Sequence, residues 1–200
     1  MININFKSGL ITSSLFLALL FTGCDKTSQD NVDNVSQVNS MVVDNNFHLT
    51  DLKGNSYTIV KSNVNGVNGF VVKEHPNKII IFDIFATWCP PCQQEAVHLS
   101  NLQKKYNDDL LILGVTIEDD IVNSKLANFA KQYHADYPLV NSKDNQKTVH
   151  AVASATKVGS QFPIPLMVMY KDGKYITHYV GATPQEMIDS DISRLLKEAK

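Results

Sequence analysis

The sequence contains a single arginine, and this scarcity narrows the kinds of site that the chain can form. All the basic residues other than Arg194 are lysines, so the chain lacks the paired guanidinium groups that clamp phosphate or carboxylate. The formal net charge is −2, without the basic excess of a nucleic-acid-binding protein. These absences argue against nucleic acid as a partner and against an anion site built on arginine.

Cysteine is also scarce, and its three positions fall into two groups. Cys24 follows an apolar amino-terminal run, whereas Cys89 and Cys92 form a pair with two residues between them. A zinc site needs four ligands, and only His98 lies near the pair in sequence. A haem attachment motif requires a histidine directly after the second cysteine, where Gln93 stands. We therefore predict no metal and no cofactor. The pair favours redox chemistry over a structural disulfide, whose short loop would constrain little.

The apolar run before Cys24 predicts an export signal. It extends from Leu10 to Phe21, which is shorter than the ~20 residues of a membrane-spanning helix. The motif FTGC resembles a bacterial lipoprotein box, although Phe stands where Leu is more usual. The resemblance implies cleavage of residues 1–23 as a signal peptide and lipid on Cys24. An uncleaved anchor or a soluble exported protein is the alternative.

Residues 24–46 predict a flexible tether, because they are rich in Ser, Asn, Gln and Asp and show no hydrophobic period. A poorly patterned edge strand is the alternative. Two or more acyl chains on Cys24 would hold the chain stably at a bilayer. Asp25 resembles an inner-membrane retention signal of enteric bacteria. We therefore expect the chain at the periplasmic side of the bacterial inner membrane, with the outer membrane or the soluble periplasm as alternatives.

Residues 47–200 alternate strand and helix patterns and predict one mixed α/β domain. Residues 47–49 and 57–60 flank a turn and predict an amino-terminal hairpin. Residues 62–69, rich in Asn and Gly, predict a loop. The other predicted strands are 78–85, 110–117, 137–140, 166–170 and 175–180, and the predicted helices are 90–106, 121–134, 146–156 and one from 183 onwards.

The cysteine pair stands at the junction between the most apolar predicted strand and the helix that follows it. Cys89 would lie at the helix start, where free N–H groups and the positive end of the helix dipole stabilise a thiolate. Cys92 can then resolve a mixed disulfide formed at Cys89. Pro90 and Pro91 suit a helix start and have no N–H, so they remove possible donors to the Cys89 sulfur. The sequence thus predicts Cys89 as the nucleophile and Cys92 as the resolving cysteine.

The segment IIIFDIFATWCPPC resembles the thioredoxin superfamily, and its ATWCPPC part is most similar to the membrane-tethered bacterial branch of the TlpA, ResA and cytochrome c maturation type. The resemblance covers the chain from about Phe47 to the end. It implies a thioredoxin-like fold: a central mixed sheet flanked by helices, with an amino-terminal hairpin and an inserted helix and strand over 121–137. It also implies that Trp88 shields the disulfide and shapes the surface on which clients dock. A plain packing aromatic is the alternative.

Ile164 and Pro165 precede an apolar strand and then the turn motif KDG, which matches the cis-proline strand of the superfamily and the hairpin after it. The resemblance implies a cis bond before Pro165. It also implies that the Ile164 backbone lies beside the cysteines, where an extended client segment pairs with it as an added strand. Pro163 is a rival for this role, but the distance from the KDG turn favours Pro165. Two trans prolines at a sheet edge are the alternative.

Asp83 lies within an otherwise apolar strand, where burial is costly for a charge and should raise the pKa of the carboxyl. It matches the buried acid of thioredoxins, which implies a role in moving a proton at the resolving cysteine, whereas the tethered branch often carries a neutral residue there. The position that matches the buried lysine of thioredoxins is Gly114. Asp83 is therefore expected to lack a cationic partner. A hydrogen-bonded structural aspartate is the alternative.

The resemblance implies a protein thiol–disulfide oxidoreductase. The tether and the ATWCPPC motif favour a reductant of disulfides in client proteins, for example apocytochrome c, with electrons from a membrane thiol reductase because the periplasm is kept oxidising. Two alternatives stay open: an oxidant or shuffling enzyme of client thiols, and a copper- or haem-handling binding protein. Copper-assembly relatives of this fold resemble one another in having three residues between the paired cysteines. This chain has two residues between Cys89 and Cys92.

Overall fold

The computed structural model describes residues 45–159 and 161–198, so the predicted signal peptide, Cys24 and the predicted tether up to residue 44 lie outside the described residues. Within those ranges no helix is both long and apolar enough to cross a membrane. The strands are β1 (Phe47–Thr50), β2 (Ser56–Val64), β3 (Val67–Val72), β4 (Ile79–Phe85), β5 (Leu110–Thr116), β6 (Leu139–Val140), β7 (Leu166–Lys171) and β8 (Lys174–Val180). The helices are α1 (Pro90–Lys105), α2 (Asn123–Tyr133), α3 (Asn145–Ser154) and α4 (Gln185–Glu198).

Five strands form the central sheet, in the order β6-β5-β4-β7-β8. β4 pairs with β5 in parallel and with β7 in antiparallel orientation, which confirms the predicted mixed sheet. Every residue of β4 and β5 is buried, as expected of nearly continuous apolar runs that are covered on both faces. Asp83 therefore lies in the middle of the sheet, and the end of β4 leads directly into the cysteine segment.

Alternation along β4 divides the core into two clusters, one on each face of the sheet. Odd-numbered residues of β4, including Phe85, pack in the cluster that contains Cys89 and Cys92 and is covered by α1, α2 and α4. Even-numbered residues, including Phe82, pack against α3 and the amino-terminal strands. Asp83 shares the parity of Phe85, so its carboxyl lies on the face that carries the cysteines.

The amino-terminal region is a three-stranded antiparallel sheet, β1-β2-β3, which contains the predicted hairpin and one further strand. The prediction of a loop over residues 62–69 is wrong, because β2 and β3 cover most of this segment. Asn65 and Gly66 connect them with φ angles of 55° and 81°. Two consecutive left-handed residues are what a tight two-residue hairpin turn requires, and Asn-Gly is its commonest sequence. The same residues that suggested a loop form this turn.

α2 and β6 correspond to the predicted inserted helix and strand, although β6 lies just beyond the predicted range of 121–137. β6 pairs in parallel with β5, and the N–H of Gly114 donates to the carbonyl of Pro138 at 2.8 Å. This pairing extends the sheet beyond β5. It also brings Tyr137, which directly precedes Pro138, into the core cluster that contains the cysteines.

Candidate active site

A disulfide joins Cys89 to Cys92 where β4 leads into α1. The two Cα atoms are 5.3 Å apart, and each cysteine is 3% exposed. Cys89 is the N-cap of α1, with an extended backbone at φ −85° and ψ 111°. Its N–H donates to the carbonyl of Ala86 at 3.2 Å and closes the turn after β4. The predicted helix start is confirmed, and both sulfurs lie at the positive end of the helix dipole.

The Cys89 sulfur accepts a hydrogen bond from the start of α1. Pro90 and Pro91 occupy the first two helical positions and have no N–H. The third position is Cys92, whose N–H donates to Cys89 Sγ at 3.3 Å. An N-cap side chain usually accepts from the second or third helical N–H. Pro91 therefore withholds one of these two donors, and Cys92 supplies the other.

The bond between Ile164 and Pro165 is cis, which confirms the sequence prediction. The carbonyl oxygen of Ile164 lies 3.8 Å from Cys89 Sγ. The next carbonyl, that of Pro165, accepts from the N–H of Gly181 at 2.8 Å. The Ile164 backbone thus lies beside the disulfide, while the Pro165 carbonyl is used in holding the start of β7.

Trp88 directly precedes the disulfide and is 61% exposed. Large aromatic side chains bury most of their surface when they serve in a core. Its exposure argues against the packing alternative. Because the two cysteines are each only 3% exposed, the ring of Trp88 presents more surface to solvent than the sulfurs do.

Glu118 holds the chain just before Trp88, although the sequence did not single it out. Its carboxylate accepts from the N–H of Thr87 at 2.6 Å and from the Thr87 hydroxyl at 3.1 Å. Lys125 of α2 forms an ion pair with it. Burial alone would raise the pKa of Glu118, but the hydrogen bonds from Lys125 and Thr87 outweigh burial and lower the pKa. No local pattern links Thr87 to Glu118, so the sequence alone could not reveal this contact.

Asp83 is 2% exposed and lies opposite Gly114 in the sheet. The hydroxyl of Tyr137 donates to Asp83 Oδ2 at 2.8 Å, whereas Oδ1 has no partner among the described residues. Burial raises the pKa of Asp83 to about 7; the hydrogen bond from Tyr137 opposes the rise, and the nearby Glu95 adds to it. The carboxyl therefore changes its charge near neutral pH, in the direction that the sequence predicted.

Glu95 is a second buried carboxyl, which the sequence analysis missed. It lies on α1 and is 2% exposed. Its Oε2 accepts from the N–H of Thr183 at 3.0 Å, and its Oε1 has no partner in the described part of the chain. Burial raises the pKa of Glu95, against the effect of the Thr183 hydrogen bond. The sequence could have indicated its burial, because Glu95 lies at helical spacing from the apolar residues Leu99 and Leu102.

The structure brings Cys89, Cys92 and Ile164 together and places Asp83 on the same face of the sheet. Cys24 lies outside the described residues. Among the residues that are described, no group of three or more His, Cys, Asp or Glu could hold a metal ion. A disulfide at a helix start, a backbone carbonyl beside it and two buried carboxyls form an arrangement that can exchange disulfides and take up protons.

The sequence is similar to known families and proteins over most of its length. A family model described as Redoxin matches residues 44–196. The thiol-disulfide oxidoreductase ResA of a Bacillus cereus strain is 23% identical over 151 residues, which are 75% of this chain and 75% of that protein.

Solved structures share the fold. A thiol:disulfide interchange protein of the thioredoxin family from Chlorobium tepidum TLS has a TM-score of 0.59 at 18% identity, over 74% of this chain and 92% of its own. A secreted disulfide oxidoreductase of Mycobacterium tuberculosis has a TM-score of 0.52 at 19% identity, over 74% and 95% of the two chains. The predicted thioredoxin-like fold is confirmed.

Proposed function

The chain belongs to the Redoxin family, and on that premise we propose that it reduces disulfides in client proteins outside the cytoplasm. It is a protein thiol–disulfide oxidoreductase, given its family, its thioredoxin-like fold and the disulfide between Cys89 and Cys92. The proposal concerns the direction of electron flow, the roles of the site residues, the clients and the location.

One observation carries the direction of electron flow: Pro91 withholds an N–H donor from the Cys89 sulfur, which is left with that of Cys92. Each such donor stabilises a thiolate and so favours the reduced protein. Strong oxidants such as DsbA owe their high potential to a stabilised reduced form. With fewer donors the reduced form is less stable, which favours giving electrons to a client.

The proposed reaction begins when the Cys89 thiolate attacks one sulfur of a client disulfide. A disulfide between Cys89 and the client forms, the client S–S bond breaks, and the released client thiolate takes a proton from water. Cys92 then loses its proton and attacks the Cys89 sulfur. This step restores the bond between Cys89 and Cys92 and releases the second client thiolate. Two electrons have passed to the client, and the protein is left oxidised.

Asp83 is proposed to accept the proton that Cys92 loses. Its carboxyl lies on the face of the sheet that carries the cysteines, and its pKa of about 7 suits a proton acceptor near neutral pH. Glu95, buried on the same helix as Cys92, is a second group that can hold a proton there. Burial raises the pKa of both carboxyls, which favours the protonated form that a proton acceptor reaches.

The client is proposed to bind as an extended segment beside Ile164. The carbonyl of Ile164 is close to the Cys89 sulfur, so a chain that pairs with this backbone as an added strand would bring its disulfide to Cys89. The exposed ring of Trp88 would add apolar contact on one side. Pro90 and Pro91 would complete the contact surface between the cysteines.

The proposed location is the periplasmic side of the bacterial inner membrane. Lipid on Cys24, after removal of residues 1–23, would anchor the chain, and residues 24–46 would tether the domain. In an oxidising compartment the protein needs a supply of electrons, for which we propose a membrane thiol reductase. Apocytochrome c, whose cysteines must be reduced before haem is attached, is the proposed client.

The reduction potential of the cysteine pair tests the direction. Equilibration of the full-length protein with thiol–disulfide redox buffers should give a value near that of thioredoxin, about −270 mV, and far from the about −120 mV of DsbA. A value near that of DsbA would mean that the protein takes electrons from its clients, and the proposal would be wrong.

Two proline variants connect the potential to its proposed cause. Pro91→Ala restores the second helical N–H and should raise the potential by about 30 mV, which corresponds to one hydrogen bond of about 1.4 kcal/mol to the thiolate. Pro90→Ala is the matched control, because the first helical N–H is not one that an N-cap side chain usually accepts. Equal shifts in the two variants would contradict the explanation.

A further inference from the structure

The side chains of Leu139 and Tyr137 occupy the space that a side chain at position 114 would otherwise fill. Gly114 lies opposite Asp83 in the pairing of β4 with β5. A Cβ added to Gly114 would lie 3.0 Å from Tyr137 Cε2 and 2.5 Å from Leu139 Cδ2. No larger residue fits at this position without moving both. Asp83 therefore meets a phenol from the next segment of the sheet, and not a side chain of β5.

The phenol is tied to the carboxyl and to the sheet at once. Its hydroxyl donates to Asp83 Oδ2 at 2.8 Å, and Tyr137 is 5% exposed. The adjacent carbonyl of Pro138 accepts from the N–H of Gly114 at 2.8 Å. The ring is thus fixed against the strand that neighbours Asp83. Because a phenol donates a hydrogen bond without adding a charge, it stabilises the carboxylate less than a cation would.

We propose that Tyr137 is a positioning residue for disulfide exchange: it holds one oxygen of Asp83 and leaves the other free for the proton that Cys92 gives up. The inference rests on the proton role of Asp83 in the proposed function. It is supported by the unequal surroundings of the carboxyl, since Oδ2 is bonded to Tyr137 and Oδ1 has no partner among the described residues. No covalent bond changes at Tyr137; the proton passes from the Cys92 thiol to Asp83.

The groups around Asp83 determine what the loss of the phenol would do. Its sheet neighbours, Gly114 and Met167, do not titrate. Among the described residues of the oxidised protein, the titratable groups that act on it are Tyr137, from the segment before β6, and Glu95, from α1. In the reduced protein the proposed proton donor, the Cys92 thiol at the start of α1, is added to them. Burial and Glu95 raise the pKa of Asp83, and the Tyr137 hydrogen bond lowers it. Burial is the largest cause that raises the pKa of Tyr137, and the charge of Asp83 raises it further. The phenol therefore keeps its proton and remains a hydrogen-bond donor.

The test is Tyr137→Phe in the full-length protein, because this change removes one oxygen and keeps the ring. With carbon-13 in the aspartate carboxyls, NMR can follow the Asp83 signal, which is assigned by its absence in Asp83→Asn. The titration midpoint of Asp83 in the oxidised protein should rise by about one to two pH units. The pH at which the reduced protein reaches half its maximal rate in a single turnover with a disulfide peptide should rise by the same amount.

Tyr57→Phe is the matched control. Tyr57 is also 5% exposed, and its hydroxyl donates to Asp51 Oδ2 at 3.0 Å, so the same atom and a similar bond are lost. This variant should leave both the Asp83 midpoint and the rate profile unchanged. In the Asp83→Asn background, Tyr137→Phe should no longer shift the rate profile. A shift that persists there would overturn the inference.

The outcomes separate this inference from the proposed function. An Asp83 midpoint that is unchanged by Tyr137→Phe overturns the role of Tyr137 and leaves the proposed function standing. A raised midpoint with an unshifted rate profile overturns the proton role of Asp83, and with it the positioning role for exchange. A reduction potential like that of DsbA overturns the reductant proposal alone, because the titration of the oxidised protein does not depend on the direction of electron flow.

Discussion

At the scale of single residues, the number of hydrogen bonds separates the buried acids whose pKa is lowered from those whose pKa is raised. Burial is the largest effect on Asp51, Asp83 and Glu95, and in all three it raises the pKa. Asp51 accepts from two backbone N–H groups and from the side chains of Asn55 and Tyr57, and its pKa is lowered overall. Asp83 and Glu95 each accept one hydrogen bond, and their pKa values stay raised. The hydrogen bonds therefore outweigh burial at Asp51, whereas burial outweighs the single hydrogen bond at Asp83 and at Glu95.

Replacing Asp83 by Asn should stabilise the oxidised protein, and the gain should grow with pH. The folded protein keeps the Asp83 proton up to about pH 7, whereas the unfolded chain releases it near 3.8. Stability therefore falls as the pH rises between these values, by about 1.4 kcal/mol per unit. Asn removes this loss and keeps an oxygen that can accept from Tyr137. Urea unfolding should show little gain at pH 4 and a gain of at most about 4 kcal/mol at pH 8.

Asp51→Asn is the control of opposite sign. The pKa of Asp51 is lowered in the folded protein, so its carboxylate contributes stability above the unfolded value of 3.8 and loses that contribution as the pH falls. The variant should be less stable than the wild type at pH 8, with a smaller difference at low pH. If the gain from Asp83→Asn is the same at pH 4 and pH 8, the raised pKa of Asp83 is wrong.

The sequence predicted the acid and missed its partner. A carboxyl inside the apolar run of β4 is conspicuous, and both its burial and the direction of its pKa follow from that local pattern. Tyr137 reaches Asp83 only because β6 pairs with β5, far along the chain. Such long-range pairing leaves no local mark in the sequence. Glu95 is a different case, because its helical spacing from Leu99 and Leu102 places it on the buried face of α1.

At the scale of elements, the segment over residues 62–69 shows where composition misleads. Asn and Gly suggested a loop, yet β2 and β3 continue to the Asn-Gly turn and pair throughout. The hairpin also packs on the turn between β7 and β8, where the Ser62 hydroxyl donates to the carbonyl of Gly173. Gly69 lies against that same carbonyl, so its lack of a side chain serves a close backbone approach. A strand that carries glycine where another backbone approaches closely therefore has a composition like that of a loop.

Gly69→Ala should destabilise the protein by about 2–4 kcal/mol. The added methyl would overlap the carbonyl of Gly173 and lie 2.9 Å from the backbone nitrogen of Tyr175. Backbone atoms cannot rotate away, so the hairpin has to separate from the turn. Urea unfolding of the oxidised protein measures the loss.

Gly66→Ala is the matched control. Its φ of 81° is strained for alanine, but no atom lies within 4 Å of the new methyl. The expected loss of stability is therefore only about 1 kcal/mol. Equal losses would contradict the close approach.

At the scale of the whole molecule, the fold was predictable for two separate reasons. The buried strands β4 and β5 and the helix α1 follow from apolar period and from the two prolines, so local physics is sufficient for them. The mixed sheet and the cis bond before Pro165 were implied by the resemblance, whereas the strand order β6-β5-β4-β7-β8 was not predicted, because pairing between distant segments has no local signature. The disulfide lies within this fold, whereas the predicted anchor at Cys24 lies outside the described residues.

Cys24→Ser should separate that place from the chemistry. If lipid on Cys24 anchors the chain, the wild type should sediment with membranes and dissolve only in detergent, whereas the variant has no thiol for the lipid and should be released. Asp25→Asn keeps the thiol and should stay with a membrane.

Because Cys89 and Cys92 are untouched, the purified Cys24→Ser variant should reduce a disulfide peptide at the wild-type rate. In cells its pair should be more oxidised, since the variant is no longer held beside a membrane reductase, and alkylation of free thiols measures this. A variant that sediments as the wild type does would show that something other than lipid on Cys24 holds the chain.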